Sequence, residues 1–90
     1  MALPATVFSC TIVSPDKVIF EGEVERLMLP SRYGDLALLP EHTPLYSELI
    51  KGMIEIWQNG SEKSIEVEGG LIRARDNSAV VIVGFSEEKF

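Results

Sequence analysis

Met53-Ile54-Glu55-Ile56-Trp57-Gln58-Asn59-Gly60-Ser61-Glu62-Lys63-Ser64-Ile65-Glu66-Val67-Glu68 is the stretch that decides the fold class. Two alternating segments flank Asn59-Gly60. A type I′ turn wants a positive φ at both central positions, and Asn-Gly meets that demand. The reading is a β-hairpin. Its two-residue loop sets Ile54 opposite Ile65 and Trp57 opposite Glu62. Strand alternation then turns Ile65 and Val67 to the core, and Glu66 and Glu68 to water. Trp57, near the tip, either anchors a partner or covers the sheet.

Downstream, Gly69-Gly70 predicts a bulge or a corner between sheets. Leu71 to Arg75 leads to a turn at Asp76-Asn77-Ser78. Ala79 to Phe85 is apolar on both faces, which predicts a central strand covered on both sides. Ser86 to Phe90 reads as a polar tail. Upstream, Lys51-Gly52 is a turn and Tyr46 to Ile50 is half-buried. Val7 to Val13 is rich in β-branched residues, and Ser14-Pro15-Asp16 ends it with turn chemistry. Val18 to Phe20 is a second strand, broken at Glu21-Gly22. Glu23 to Leu29 is a third, ended by Pro30. Glu21, Glu23 and Glu25 share a face with Leu27 and Leu29, and that odd phase predicts a bulge that swaps faces. The three carboxylates read as a solvated strand face, since nothing near them would shift their pKa values apart.

Between these halves lies Gly34-Asp35-Leu36-Ala37-Leu38-Leu39-Pro40-Glu41-His42-Thr43-Pro44-Leu45. Leu36, Leu38 and Leu39 suit a short buried strand. Pro40 and Pro44 each fix φ and remove a donor, so Glu41-His42-Thr43 is a loop with rigid ends. Asp35 and His42 are expected at one end of the molecule, both exposed. About nine short strands with no sustained 3.6 period make the chain all-β, a sandwich or barrel. The expectation is one domain over residues 1–90, with its core at about 7–85 and the tail at 86–90.

Composition narrows the function classes. Ninety residues leave no room for a second core. Fourteen acidic residues against eight basic give a net charge of −6. No Lys/Arg cluster offers to neutralise a nucleic-acid backbone or an anionic lipid surface. Cys10 is alone, which excludes an internal disulfide and a cysteine zinc site. No apolar run is long enough for a helix to cross a bilayer. These features predict a soluble chain in a reducing compartment. Neither a phosphate loop nor a nucleophile elbow is present. One histidine and one cysteine in separate segments make no metal cluster. His42 between prolines reads as an interface residue rather than a general base. No catalytic residue, metal ligand or cofactor is predicted.

The order Ile12-Val13-Ser14-Pro15, Phe20-Glu21-Gly22-Glu23-Val24-Glu25, Gly34, Leu39-Pro40-x-His42-x-Pro44-Leu45, Leu49, Gly52 and Gly69-Gly70 resembles the N-terminal domain of the epsilon subunit of F-type ATP synthase, called delta in mitochondria. The L-P-x-H-x-P-L motif is its most specific part. Three departures stand out: the family usually has glycine where Ala37 stands, glycine or asparagine at Glu41, and alanine at Thr43. The resemblance implies a flattened β-sandwich of two sheets, with nine or ten strands. It implies a non-catalytic subunit of the central rotor that links the gamma subunit to the c-ring and couples proton flow to ATP synthesis. Carried over by position, Ser31, Arg32, Tyr33, Gly34 and Asp35, with Glu41, His42, Thr43 and Pro44, would face the c-ring and adjoining gamma. Ser14, Tyr46 and Ser47 would lie towards gamma. No nucleic acid, direct membrane insertion or obligate homo-oligomer is implied. The implied location is the cytoplasmic side of the bacterial inner membrane, held there through the complex.

In the family, two C-terminal helices follow the sandwich and carry inhibition of ATP hydrolysis and, in some members, an ATP site. The present sequence reaches only Phe90. The expectation is coupling without strong inhibition and without ATP binding. A second reading is a free-standing β-sandwich interaction or ligand-binding module. Only the first reading needs the L-P-x-H-x-P-L loop beside the 31–35 turn.

Overall fold

The computed structural model describes residues 6–84, so the polar tail at 86–90 and the start of the chain lie outside the described residues. Nine strands follow in order: β1 Phe8–Val13, β2 Val18–Val24, β3 Arg26–Ser31, β4 Gly34–Leu38, β5 Leu45–Leu49, β6 Gly52–Gln58, β7 Ser61–Val67, β8 Gly70–Arg75 and β9 Ser78–Val83. The deciding hairpin is β6–β7. Ile54 pairs with Ile65 and Trp57 with Glu62, and Asn59 and Gly60 have φ of 52° and 76°. A second turn of this kind joins β8 to β9, where Asp76 and Asn77 have φ of 51° and 56°. Ser78 belongs to β9, paired with Arg75.

Hydrogen bonding runs through all nine strands in the order β2-β1-β9-β8-β5-β3-β6-β7, with β4 on the other edge of β3. All pairings are antiparallel except β1 with β9. The sheet folds over on itself. Gln58 Nε2 donates to the Glu23 carbonyl at 2.9 Å, Glu25 N–H to the Trp57 carbonyl at 2.8 Å, and the Lys63 ammonium lies 5.3 Å from the Phe20 ring centre. Strand alternation directs Phe8, Ile12, Leu27, Leu29, Ile54, Ile56, Ile72 and Val81 into the enclosed core. Val67 is buried and Ile65 packs against that core.

Several expectations are corrected. Gly22 does not break β2; it pairs with Cys10 inside the strand. A Cβ there would stand 3.1 Å from Gln58 Nε2, so the glycine marks where β6 approaches closely. The phase slip falls at Glu25–Arg26, two successive exposed residues between buried Val24 and Leu27, where the chain passes from β2 to β3. Glu21, Glu23 and Glu25 are solvated, as the sequence predicts. Pro30 lies within β3 and is buried. Its carbonyl accepts from Ile50 N–H at 2.8 Å. Its missing donor falls where β3 changes partner from β6 at Met28 to β5 at Ser31, so no ladder bond is lost. Gly52 opens β6 and sits against this proline; a Cβ there would be 2.9 Å from Pro30 Cβ. The last strand lies mid-sheet between β1 and β8, but it is covered on one face only. Val81 is fully buried, while Val80 and Ile82 are 40% and 41% exposed. Leu39 is also exposed rather than buried.

Candidate functional site

The turn between β3 and β4 is held from within. The Ser31 hydroxyl, on a buried residue, accepts from Tyr33 N–H at 3.0 Å. Arg32 N–H donates to the Glu48 carbonyl at 3.0 Å, and the Arg32 guanidinium pairs with the Glu48 carboxylate at 2.9 Å. Gly34 takes a φ of 118°, which a Cβ would disfavour. Tyr33 and Asp35 are left projecting into solvent. The turn therefore rests on β5 and presents a phenol and a carboxylate.

The proline-framed loop is anchored elsewhere. Asn77 is its clasp: Glu41 N–H donates to Asn77 Oδ1 at 2.7 Å, and Asn77 Nδ2 donates to the Val7 carbonyl at 3.0 Å. Glu41 has a φ of 61°, the left-handed region that favours Gly or Asn. The expectation of an exposed His42 is corrected. The residue is half-buried, and its ring meets Phe8 edge to face at 5.2 Å and 86°. Neither ring nitrogen is exposed or finds a hydrogen-bond partner among the described residues. His42 thus fastens the loop, while Thr43 and Pro44 are its exposed members. β4 joins the turn to the loop, and a groove between β4 and the loop is lined by Leu36, Leu39, His42, Thr43 and Leu45.

The other predicted contact residues lie on separate surfaces. Ser14 closes the turn after β1, with its N–H on the Lys17 carbonyl at 2.9 Å. Tyr46 and Ser47 are successive residues of β5 and point to opposite faces. Tyr46 is 70% exposed, beside a shallow apolar patch with Leu71, Val80 and Ile82, edged by Arg73 and Arg75. Ser47 is half-buried on the inner side. Sequence reasoning missed Asn77; the only local signal was the turn it occupies. It also missed the Arg26 guanidinium stacked 4.7 Å from the Trp57 ring centre.

Burial pushes the Cys10 thiol up to about 12, so it stays protonated and unreactive. No three His, Cys, Asp or Glu residues gather as metal ligands among the described residues. No described helix is long and apolar enough to cross a membrane.

Comparison with known proteins fits this picture. Residues 7–89 match the model of the ATP synthase Delta/Epsilon chain, beta-sandwich domain. The chain is 38% identical over 72 residues to the ATP synthase epsilon chain of Leptospira borgpetersenii, covering 80% of this chain and 57% of the relative. It is 36% identical over 76 residues to that of Pelotomaculum thermopropionicum, covering 84% and 57%. The chain thus spans little more than half the length of these relatives. Among solved structures, a chain of the Euglena gracilis mitochondrial ATP synthase OSCP/F1/c-ring assembly superposes with a TM-score of 0.84 at 15% identity, covering 97% of this chain and 61% of that one. A chain of the Tetrahymena thermophila mitochondrial central stalk and c-ring gives 0.74 at 16% identity, covering 98% and 72%. These likenesses bear on the fold, and the matches in sequence decide the family. The chain belongs to the delta/epsilon family of ATP synthase and carries that family's β-sandwich domain.

Proposed function

We propose that this chain is a non-catalytic subunit of the central rotor of an F-type ATP synthase, joining the gamma subunit to the c-ring so that proton flow drives ATP synthesis. The observation that carries this reading is the family match along residues 7–89. It removes the main reason to prefer an unrelated sandwich module. The turn Ser31, Arg32, Tyr33, Gly34 and Asp35 and the loop Glu41, His42, Thr43 and Pro44 supply the c-ring side and the adjoining part of gamma. Ser14 and Tyr46 supply further gamma contacts, with Ser47 supporting β5 from within. An exposed carboxylate and phenol on a braced turn suit a polar partner, because ordering cost has already been met within the chain. The assembly would sit on the cytoplasmic side of the bacterial inner membrane, held by its partners.

The experiment adds the purified chain to synthase depleted of epsilon, reconstituted in vesicles. Recovery of proton-driven ATP synthesis is expected. Asp35→Lys should reduce that recovery while leaving the melting temperature unchanged, since Asp35 is exposed. Failure of the wild-type chain both to bind gamma and to restore coupling would refute the proposal.

A further inference from the structure

Among the described residues β2, β7 and β4 pair along one edge only, and β5 meets β3 on its second edge only at Leu49. Free edges offer N–H and C=O groups to any passing strand, and chains commonly guard them with charge. β2 carries Glu21 and Glu23, and its Glu23 carbonyl is taken by Gln58. β7 carries Glu62, Lys63 and Glu66. β4 reads Gly34-Asp35-Leu36-Ala37-Leu38, with one charge at its start and none after it.

The direction of its backbone groups follows from neighbouring pairs. Pro30 lies opposite Asp35, and the Pro30 carbonyl points away from β4 to Ile50 N–H. In an antiparallel ladder such a pair is the non-bonded kind, and bonded pairs alternate with it. Gly34, Leu36 and Leu38 therefore bond to β3. Asp35 and Ala37 aim their N–H and C=O groups outward, and both residues are exposed. Beside this edge runs the groove lined by Leu36, Leu39, His42, Thr43 and Leu45. An edge beside a groove is the geometry of strand addition: backbone groups bind, and the groove selects alternate side chains.

We propose that an extended segment of gamma adds to the sheet along β4. The segment has apolar residues at alternate positions, and Lys or Arg where it passes Asp35. The charge requirement comes from the chain's net −6 and from the exposed Asp35 carboxylate at the start of the strand. The choice of gamma rests on the proposed rotor function, since β4 joins the two segments assigned there to partner contact.

The test pairs calorimetric titration of the chain with purified gamma and amide hydrogen exchange on the free and bound chain. Asp35 and Ala37 amides should exchange fast in the free chain and slow at least about ten-fold on binding. Ala37→Pro removes one outward donor without touching the β3 ladder. It should weaken binding about ten-fold, the weight of one interfacial hydrogen bond left unmade. Ala37→Gly, which keeps the donor, should bind like wild type. If gamma binds but the two amides stay unprotected, strand addition is overturned and the rotor function stands. Equal binding by Ala37→Pro has the same meaning. The exchange measurement needs no substitution, so poor folding of the proline variant would not rescue the proposal. Absence of any gamma binding by the wild-type chain overturns strand addition, and the rotor function with it if coupling is not restored either.

Discussion

Glu41 sits at φ 61° with its N–H held by Asn77. A Cβ in that conformation crowds the following carbonyl and costs about 1–2 kcal/mol. Glycine escapes the clash but loses roughly 0.5–1 kcal/mol through its freer unfolded chain. Glu41→Gly is therefore expected to be more stable than Glu41→Ala by about 0.5–1 kcal/mol net. For a domain of this length that is a rise of about 2–8 °C in melting temperature over the alanine variant. Glu41→Asn, whose side chain tolerates the left-handed region, should give a smaller rise. Glu41→Ala keeps the clash and controls for loss of the glutamate side chain. Glu41→Val adds β-branching and should fall below it. The N–H donated to Asn77 survives in all four variants. Scanning calorimetry, checked by urea midpoints at unchanged m-value, reads the order Gly, Asn, Ala, Val. An alanine variant as stable as the glycine variant would refute the reasoning, because the left-handed backbone would then carry no measurable strain.

Val81→Ala should cost about 2–3 kcal/mol through lost burial and a residual cavity, whereas Ile82→Ala, on the uncovered face of the same strand, should cost under about 1 kcal/mol; equal urea midpoints would contradict the one-sided burial of β9. Gly70→Ala places a Cβ 2.1 Å from the Ile82 carbonyl oxygen and should lose at least about 2 kcal/mol, and a melting temperature within two or three degrees of wild type would show that β9 yields easily. Asn77→Gly keeps the left-handed backbone but deletes both clasp bonds, and should cost about 1–2 kcal/mol by urea titration. An Asn77→Gly variant as stable as wild type would show that the clasp bonds contribute little to holding the loop.

The hairpin at Asn59-Gly60 was legible because its turn type makes an uncommon demand that few dipeptides meet. The all-β class followed from it and from the short spacing of the other turns. What stayed hidden depends on residues remote in sequence. Gly22 and Pro30 both look like strand breakers. Whether each breaks a strand or admits a neighbour depends on Gln58 at the end of β6 and on Ile50 between β5 and β6. An apolar run such as Ala79 to Val83 shows that both faces are greasy, not which face the same chain covers. His42 reads as exposed between two prolines; its burial needs Phe8, which the fold brings to it. The left-handed Glu41 lay closer to the surface of the sequence. The family resemblance puts glycine or asparagine at that position, the two residues that such a backbone prefers.

The one parallel pairing has a mechanical meaning. β1 opens the described strands and β9 closes them, and they run side by side from Ser9–Ser78 to Val13–Ile82. A pull on the two ends of the chain would leave β1 at its first residue and β9 at its last. The force would lie along both strands in opposite senses. All the hydrogen bonds between them would bear the load together, rather than open one by one from an end. Extension by an optical trap should therefore meet one high, abrupt rupture, where a hairpin pulled from its open end peels at low force.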